Sequence, residues 1–469
     1  MKKRFAICST IVLLLLLSAC GALQTLDFSY APEGEELSSL MVETSQTHRA
    51  ELEHVPSAAD FADAISDDPA SAGLLSESEV ESLLRGHAAM ETVSKEQAQS
   101  DVSLLFRTLQ SAYGAYEYFG QEKFDAAEDA VTQWLSSQDD EIKVSVLGEK
   151  LQESLAFMLA HDAHAVIYEP AAEEIEAQVR YKYFFADGFY FSKDVNGSYY
   201  MVNDGERWTL SSFSDEHVSV QPTLLKDGRI VYQPTLFALR KDAVQSSVTL
   251  KNSSGKAKIY RLDWTESQPL DVDLGTLDYR LIQEDGLTYV SLRSFVSGTY
   301  DNMLARYARE GAKARGSKAV IYDLRGNVGG SDSWPRKWIQ SFLGTQNSIE
   351  TSMLYAQKNS ALFAAENSES LLPEDEGTCF AREVHGTWYE NDIPIIVLVD
   401  DHCGSSGEGA VQLLKTLDNV LIVGSNTAGY QLCGNISTFT LPYTGIGVRF
   451  GSTLFLYGDG ENVDHRGYA

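Results

Sequence analysis

The chain predicts a multidomain α/β protein, and three observations predict it. Apolar residues recur at helical spacing at Val102, Leu105, Phe106, Leu109 and Tyr113, and again at Val144, Leu147, Leu151, Leu155 and Leu159. From Tyr181 to Trp264 the pattern changes to short aromatic and β-branched runs split by Asp-Gly, Asn-Gly and Ser-Gly turns, which predicts an all-β region. Beyond it, alternation at Leu287–Leu292, a helical stretch to Gly316 and apolar runs at Ala319–Tyr322 and Ile393–Val399 predict an α/β domain. With 469 residues, 43% of them hydrophobic, the chain has enough apolar material for two or three cores.

The first segment reads differently. Lys2, Lys3 and Arg4 precede an apolar run from Ile11 to Leu17, and Leu17-Ser-Ala-Cys20-Gly21 follows, the pattern of a bacterial lipoprotein signal. The apolar run is too short to span a membrane as a mature helix. Cleavage would remove residues 1–19 and attach lipid through the Cys20 thiol, giving an extracytoplasmic protein anchored to the bacterial cell membrane. Residues 20–95, rich in Glu, Asp, Ser and Ala with little periodicity, predict a flexible acidic tether with one short helix near Glu77–Leu84. A helical subdomain over 96–168, a β-rich module over 169–275 and the α/β domain over 276–469 complete the predicted order.

Formal net charge is −30, and the loss of three cations with the signal makes it −33. Such a chain is a poor ligand for nucleic acid, whose phosphates require clustered cations. The charge also argues against electrostatic adhesion to anionic lipid, so the lipid on Cys20 is the expected attachment. No metal-ligand spacing, phosphate loop or dinucleotide fingerprint is present, so the chemistry is expected to be independent of metal and cofactor.

Two short runs carry that chemistry. Asp323-Leu-Arg-Gly-Asn-Val-Gly-Gly330 follows a buried-strand pattern, so its glycines fall where the backbone turns sharply and can present amide N–H groups to an oxyanion. Gly404-Ser405-Ser406-Gly407-Glu408 follows the next strand and opens a stretch whose Ala410, Val411, Leu413, Leu414 and Leu417 fit a helical face. A serine is thereby placed at a helix N-terminus, where unpaired N–H groups and the helix dipole favour negative charge. Separately, each run is an ordinary turn or cap; as an ordered pair they point to a serine hydrolase. Spacing alone does not choose between Ser405 and Ser406.

These runs, the strand to Val399 and Val423-Gly-Ser-Asn-Thr-Ala-Gly429 resemble the carboxyl-terminal-processing (tail-specific) serine peptidases, a group that includes the catalytic core of tricorn protease. The resemblance covers about residues 276–469 well and 96–168 more loosely. It implies a crotonase/ClpP-like α/β catalytic core and a peptide or protein substrate, and it selects Ser405 as nucleophile because the family serine lies three residues before the acidic one. It also implies an oxyanion hole formed by Gly329 or Gly330 with the N–H of Ser406. Relatives carry a PDZ domain near the β-rich module, which is here either a degenerate PDZ or a plain β module.

The chain departs from the tail-specific branch at Tyr430, which stands where that branch has its catalytic lysine. A neutral tyrosine oxygen is a poor proton acceptor, so a Ser/Lys dyad is disfavoured and the tricorn-like branch, which uses histidine, is the nearer match. Of nine histidines, His164 is the first candidate, because Leu159-Ala-His-Asp162-Ala-His164 resembles the Asp-x-His ending of the helical subdomain in lysine-less relatives. His161 and His402 compete with it. By the same resemblance, Asp464 or Glu461 would orient the base. Cys403 and Cys433 flank the centre and are expected to form a disulfide, with a reactive Cys403 thiol as the sharper alternative. The expectation is a lipid-anchored serine peptidase acting through an acyl-enzyme on Ser405. The alternative is an inactive surface lipoprotein that binds peptide or cell-wall ligands in the same cleft. The sequence does not determine the oligomeric state.

Overall fold

The computed structural model describes residues 36–61, 74–168, 182–203, 205–225, 227–238, 246–267, 279–298, 301–367, 371, 375–458, 462–464 and 467. The signal, Cys20 and Glu461 lie outside the described residues. The fold is mixed α/β with several sheets and helices toward the N-terminus. It divides into one unit of Met1–Glu43 with Tyr181–Gln268 and another of Thr44–Arg180 with Pro269–Ala469.

The second unit contains the sheet that positions the site. Its strands run in the order Arg280–Glu284, Leu287–Ser291, Ala319–Asp323, Ile395–Val399 and Val420–Gly424, the first pair antiparallel and the rest parallel. Parallel neighbours need crossovers, and the helices Asp301–Glu310, Ser333–Leu343 and Ser406–Leu414 supply them. Val290, Val320, Tyr322, Ile395, Val397 and Val420 bury against Leu304, Tyr307, Trp338, Ile339 and Leu413. The expected strands and the helix toward Gly316 are present, although that helix tightens into a 3₁₀ turn over Gly311–Gly316.

Asp323, at the end of its strand, anchors the glycine turn. It is fully buried and accepts from Arg325, Arg293 and the Tyr289 hydroxyl. Burial alone would raise its pKa, but the hydrogen bonds from Arg325, Arg293 and Tyr289 outweigh burial and hold the carboxyl well below the usual carboxylate range. A depressed acid stabilises the fold above its unfolded pKa and loses that contribution as pH falls through the folded pKa. Asp323→Asn is therefore expected to cost about 3 kcal/mol at neutral pH, because it leaves Arg293 buried without its anion. Urea titrations at pH 7 and pH 3 check this: the gap between wild type and variant should narrow at the lower pH, and an equal gap at both would reject the assignment.

The antiparallel sheet Cys379–Val384, Met353–Lys358, Gly447–Tyr457 and Cys433–Thr440, joined by Val166–Tyr168 on the long strand, lies in the same unit. It shares one core with the helices Lys95–Ala112, Gln121–Ser137 and Val144–Ser154. Ser94 starts the first of these through a capping box: its amide donates to Gln97 Oε1 at 2.9 Å, and its hydroxyl accepts from the Gln97 amide at 3.3 Å. The helical segment thus shares its core with the antiparallel sheet.

The tether expectation fails in part. Residues Leu37–Glu53 form a helix, and Glu77–Leu84 forms the short one expected. From Thr44 onward the first helix is docked: the Asn419 amide donates to Ser45 Oγ at 3.0 Å, the Ser352 hydroxyl donates to Leu52 O, Lys415 pairs with Glu51, and His48 is buried. In the other unit, the β-rich module has the strand orders Ala257–Arg261, Ser247–Lys251, Glu206–Phe213, Tyr199–Asn203, Ser192–Lys193 and Trp264–Glu266, Lys182–Ala186, Ile230–Ala238, Val218–Leu224. Phe184, Phe191, Trp208, Tyr232 and Tyr260 fill its core. None of its described residues from 182 to 266 is helical. No described helix in the protein is long and apolar enough to cross a membrane.

Candidate active site

Strand Ile395–Val399 ends at Asp400, and the chain turns through Cys403 and Gly404 before helix Ser406–Leu414 begins. At the helix start Ser405 has φ +53° and ψ −122°, a conformation that a side-chain-bearing residue adopts only at a cost of order 1–3 kcal/mol. The surroundings enforce it. The Gly404 amide donates to Asn327 O, the Ala428 amide to Cys403 O and the Gly409 amide to Ser405 O. The Ser405 amide itself donates to Glu408 Oε2 at 3.1 Å.

Glu408 is the keystone of this turn. It is fully buried, and its two carboxylate oxygens accept from Thr427 Oγ1 (2.5 Å), the Gly429 amide (2.8 Å), the Tyr430 amide (2.8 Å) and the Ser405 amide. One side chain thereby ties the nucleophile turn to the Thr427–Tyr430 loop. The family resemblance used its position to identify Ser405 but assigned it no role.

The glycine run faces this turn from the neighbouring strand. A Cβ on Gly329, where φ is +100°, would stand 2.7 Å from Ser405 Cβ and 3.0 Å from the Ser406 nitrogen. Phe295 bridges Gly330, its amide donating to Gly329 O at 2.7 Å and its carbonyl accepting from the Ser331 amide at 3.0 Å. The two glycine amides differ. Gly329 donates to Asn327 Oδ1 at 3.0 Å, whereas the Gly330 amide has no hydrogen-bond partner among the described residues. The Ser406 hydroxyl donates to Gly330 O at 3.0 Å, holding the two runs together.

A pocket of about 330 Å³ opens over Ser405 and is lined by His164, Val328, His402, Gly404, Ala428, Tyr430 and Arg449. The structure therefore places Ser405 and His164 in the lining of one pocket across 241 positions of sequence, the difference of their numbers. His402 lines the same pocket beside Asp401, its Nδ1 3.2 Å from Asp401 Oδ1. His161 is exposed and does not line it. The His164 ring packs edge-on against Tyr430, with centroids 5.0 Å apart. Burial lowers the His164 pKa from 6.5 to about 4, with Arg449 adding to the shift and Asp162 and a hydrogen bond to the Cys433 backbone opposing it. The ring is thus neutral across the physiological range, the state in which imidazole accepts a proton.

Asp464 is not where an orienting acid would be. Its Oδ2 accepts from the Ala163 amide at 2.9 Å, and its Oδ1 accepts from the amides of Gln431 and Leu432 at 2.7 and 2.8 Å, so it pins the His164 loop to the Tyr430 loop through backbone. Asp162 likewise accepts from the His164 amide and the Tyr113 hydroxyl, not from the imidazole. The expected Cys403–Cys433 disulfide is absent and both thiols are free. Cys403 is buried in the core of the parallel sheet, and Cys433 is buried in the helical core beside Asp162. Burial pushes both thiols well above their ordinary pKa, which removes the reactive-Cys403 alternative as well. Among the described residues no group of three or more His, Cys, Asp or Glu side chains is arranged to hold a metal ion.

Sequence reasoning missed Arg449 and the roles of Glu408 and Asp464. An arginine in a strand buried on both faces was the one available signal, because such a strand has no solvent side to accept the charge.

Comparison with known proteins agrees on the segment that carries these residues. Residues 286–468 match the model of Peptidase family S41. No curated protein matches the chain. Among solved structures it is similar to mature CPAF, at 12% identity over 80% of this chain and 92% of that one with a TM-score of 0.39. It is also similar to the photosystem II D1 C-terminal processing protease, at 14% identity over 79% and 91% with a TM-score of 0.38. A third is a lipoprotein from Streptococcus agalactiae, at 15% identity over 81% and 92% with a TM-score of 0.34. The segment that holds the glycine turn and Ser405 is thus a peptidase family S41 domain.

Proposed function

We propose that the protein is an extracytoplasmic serine peptidase, anchored to the membrane by lipid on Cys20, that cleaves peptide bonds through an acyl-enzyme on Ser405. One observation carries the catalytic part: a serine held at positive φ at the start of a helix lines the same pocket as a buried, neutral imidazole. The anchor rests on the Lys2–Cys20 pattern.

In this mechanism Ser405 Oγ attacks the scissile carbonyl carbon while His164 takes its proton. Charge develops on the carbonyl oxygen, and the amides of Gly330 and Ser406 stabilise it. Collapse breaks the C–N bond as the imidazolium returns the proton to the leaving amine. Water then attacks the ester with His164 again as base, releasing the acid and restoring Ser405. Gly329 is set aside as a hole donor because Asn327 already occupies its amide.

The test is labelling of the protein with a fluorophosphonate probe, mapped by peptide mass spectrometry. Modification is expected at Ser405, absent in Ser405→Ala and reduced at least about a thousandfold in His164→Ala. The labelling rate should hold down to about pH 4, where His164 protonates, instead of falling near 6.5. A folded protein that never labels would move the assignment to a binding cleft, and undiminished labelling in His164→Ala would transfer the base to His402.

A further inference from the structure

Resting on the peptidase reading of the Ser405 pocket, we propose that Arg449 makes this a carboxylate-selective site, one that takes substrates carrying a carboxylate beside the scissile bond. Arg449 lies on strand Gly447–Tyr457, opposite Val166 on one side and Thr438 on the other, and its side chain reaches the pocket wall. Its Nε donates to His164 O at 3.0 Å, which fixes the plane of the guanidinium. Among the described residues no carboxylate pairs with it, although the chain's net charge is −30.

The described acids near the pocket are otherwise engaged. Glu408 is saturated by four donors beneath Ser405, Asp162 and Asp464 bind backbone amides, and Asp401 lies beside His402. The lining itself holds two imidazoles and one guanidinium and no carboxylate. A half-buried cation with no counter-ion among the described residues is unfavourable, and the planar guanidinium fork matches a carboxylate, the anion that a peptide substrate carries. The missing anion is therefore one that arrives with the substrate. Two sources share this chemistry: an Asp or Glu side chain, or the terminal carboxylate of the chain being trimmed.

Direct binding to the full chain carrying Ser405→Ala separates them. One fluorescent peptide is made with Glu, Gln or Lys at each position flanking the cleavage site found with wild type, each in a free-acid and an amidated form. The carboxylate-bearing member is expected to bind roughly ten- to a hundredfold more tightly than its neutral twin. A preference for Glu over Gln identifies the side chain as source, and a preference for free acid over amide identifies the terminus. Adding Arg449→Gln should erase the preference, and Arg449→Glu should turn it toward Lys. A loss that is uniform across all peptides would instead show that Arg449 only supports the His164 loop, and it would overturn the proposal. Equal binding of charged and neutral twins, in a protein whose wild type labels at Ser405, rejects the selectivity and leaves the peptidase reading standing. A wild type that neither labels nor cleaves removes both.

Discussion

Glu408→Gln is expected to cost the fold about 3–5 kcal/mol and to slow fluorophosphonate labelling of Ser405 by roughly a hundredfold or more, because it converts a four-acceptor anion into a group that must donate. Two carboxylate oxygens now receive the Thr427 hydroxyl and the amides of Gly429, Tyr430 and Ser405. Glutamine keeps the volume but replaces one oxygen with an NH₂, so whichever way the amide turns, at least one N–H donor meets another donor in a site closed to water. Rotating the amide relieves one side at the expense of the other. The displaced groups are not peripheral. The Ser405 amide fixes the strained φ at the nucleophile, and the Tyr430 amide fixes the ring against which His164 packs. Loss of stability and loss of activity should therefore arrive together in this variant. Urea unfolding and labelling rate, measured on the same preparation, check both. A variant within 1 kcal/mol of wild type that labels at half its rate or better would show that Glu408 does not hold the turn.

Local pattern made the strand ends, the helix after Ser405 and the glycine turn legible, since each is dictated by neighbours within about a turn of chain. Helix Leu37–Glu53 was not legible, because it docks partly through polar groups. Leu40 and Met41 are buried, but the next buried positions are the polar Ser45 and His48, so the apolar stripe is too short to announce a packed face. The cysteine pairing failed for a different reason. Nearness in sequence to one pocket says nothing about which core a thiol enters, and Cys403 and Cys433 point into separate ones. The polar network at the site depends on contacts of long range in sequence. Asp464 reaches Ala163 across 301 positions and Arg449 reaches the His164 carbonyl across 285, so no local signal announces either. The resemblance to a peptidase family supplied Ser405 and His164 as a pair, whereas Asp464, one of the two acids it offered, accepts from backbone amides.

Gly330→Ala is expected to be a severely damaging addition of one carbon in the parallel-sheet region. At φ +139° an L side chain is disfavoured wherever it points, and here the added Cβ would stand 2.1 Å from Phe295 C and 2.2 Å from Val296 N. Both contacts are backbone atoms, and Phe295 is tied to this segment by two hydrogen bonds, so no rotamer change relieves them. The segments must separate, which takes with it the Phe295 bridge, the Ser406 hydroxyl's bond to Gly330 O and the position of the Gly330 amide. A cost of about 3 kcal/mol or more is expected, together with loss of Ser405 labelling. Gly298→Ala separates strain from collision, because Gly298 also has positive φ, +109°, but nothing lies within 4 Å of an added Cβ. That variant should lose only about 1–2 kcal/mol and label normally. Equal destabilisation in the two would assign the effect to backbone conformation alone. A Gly330→Ala protein that is destabilised yet labels at the wild-type rate would take the Gly330 amide out of the oxyanion hole, leaving the Ser406 amide as the donor there.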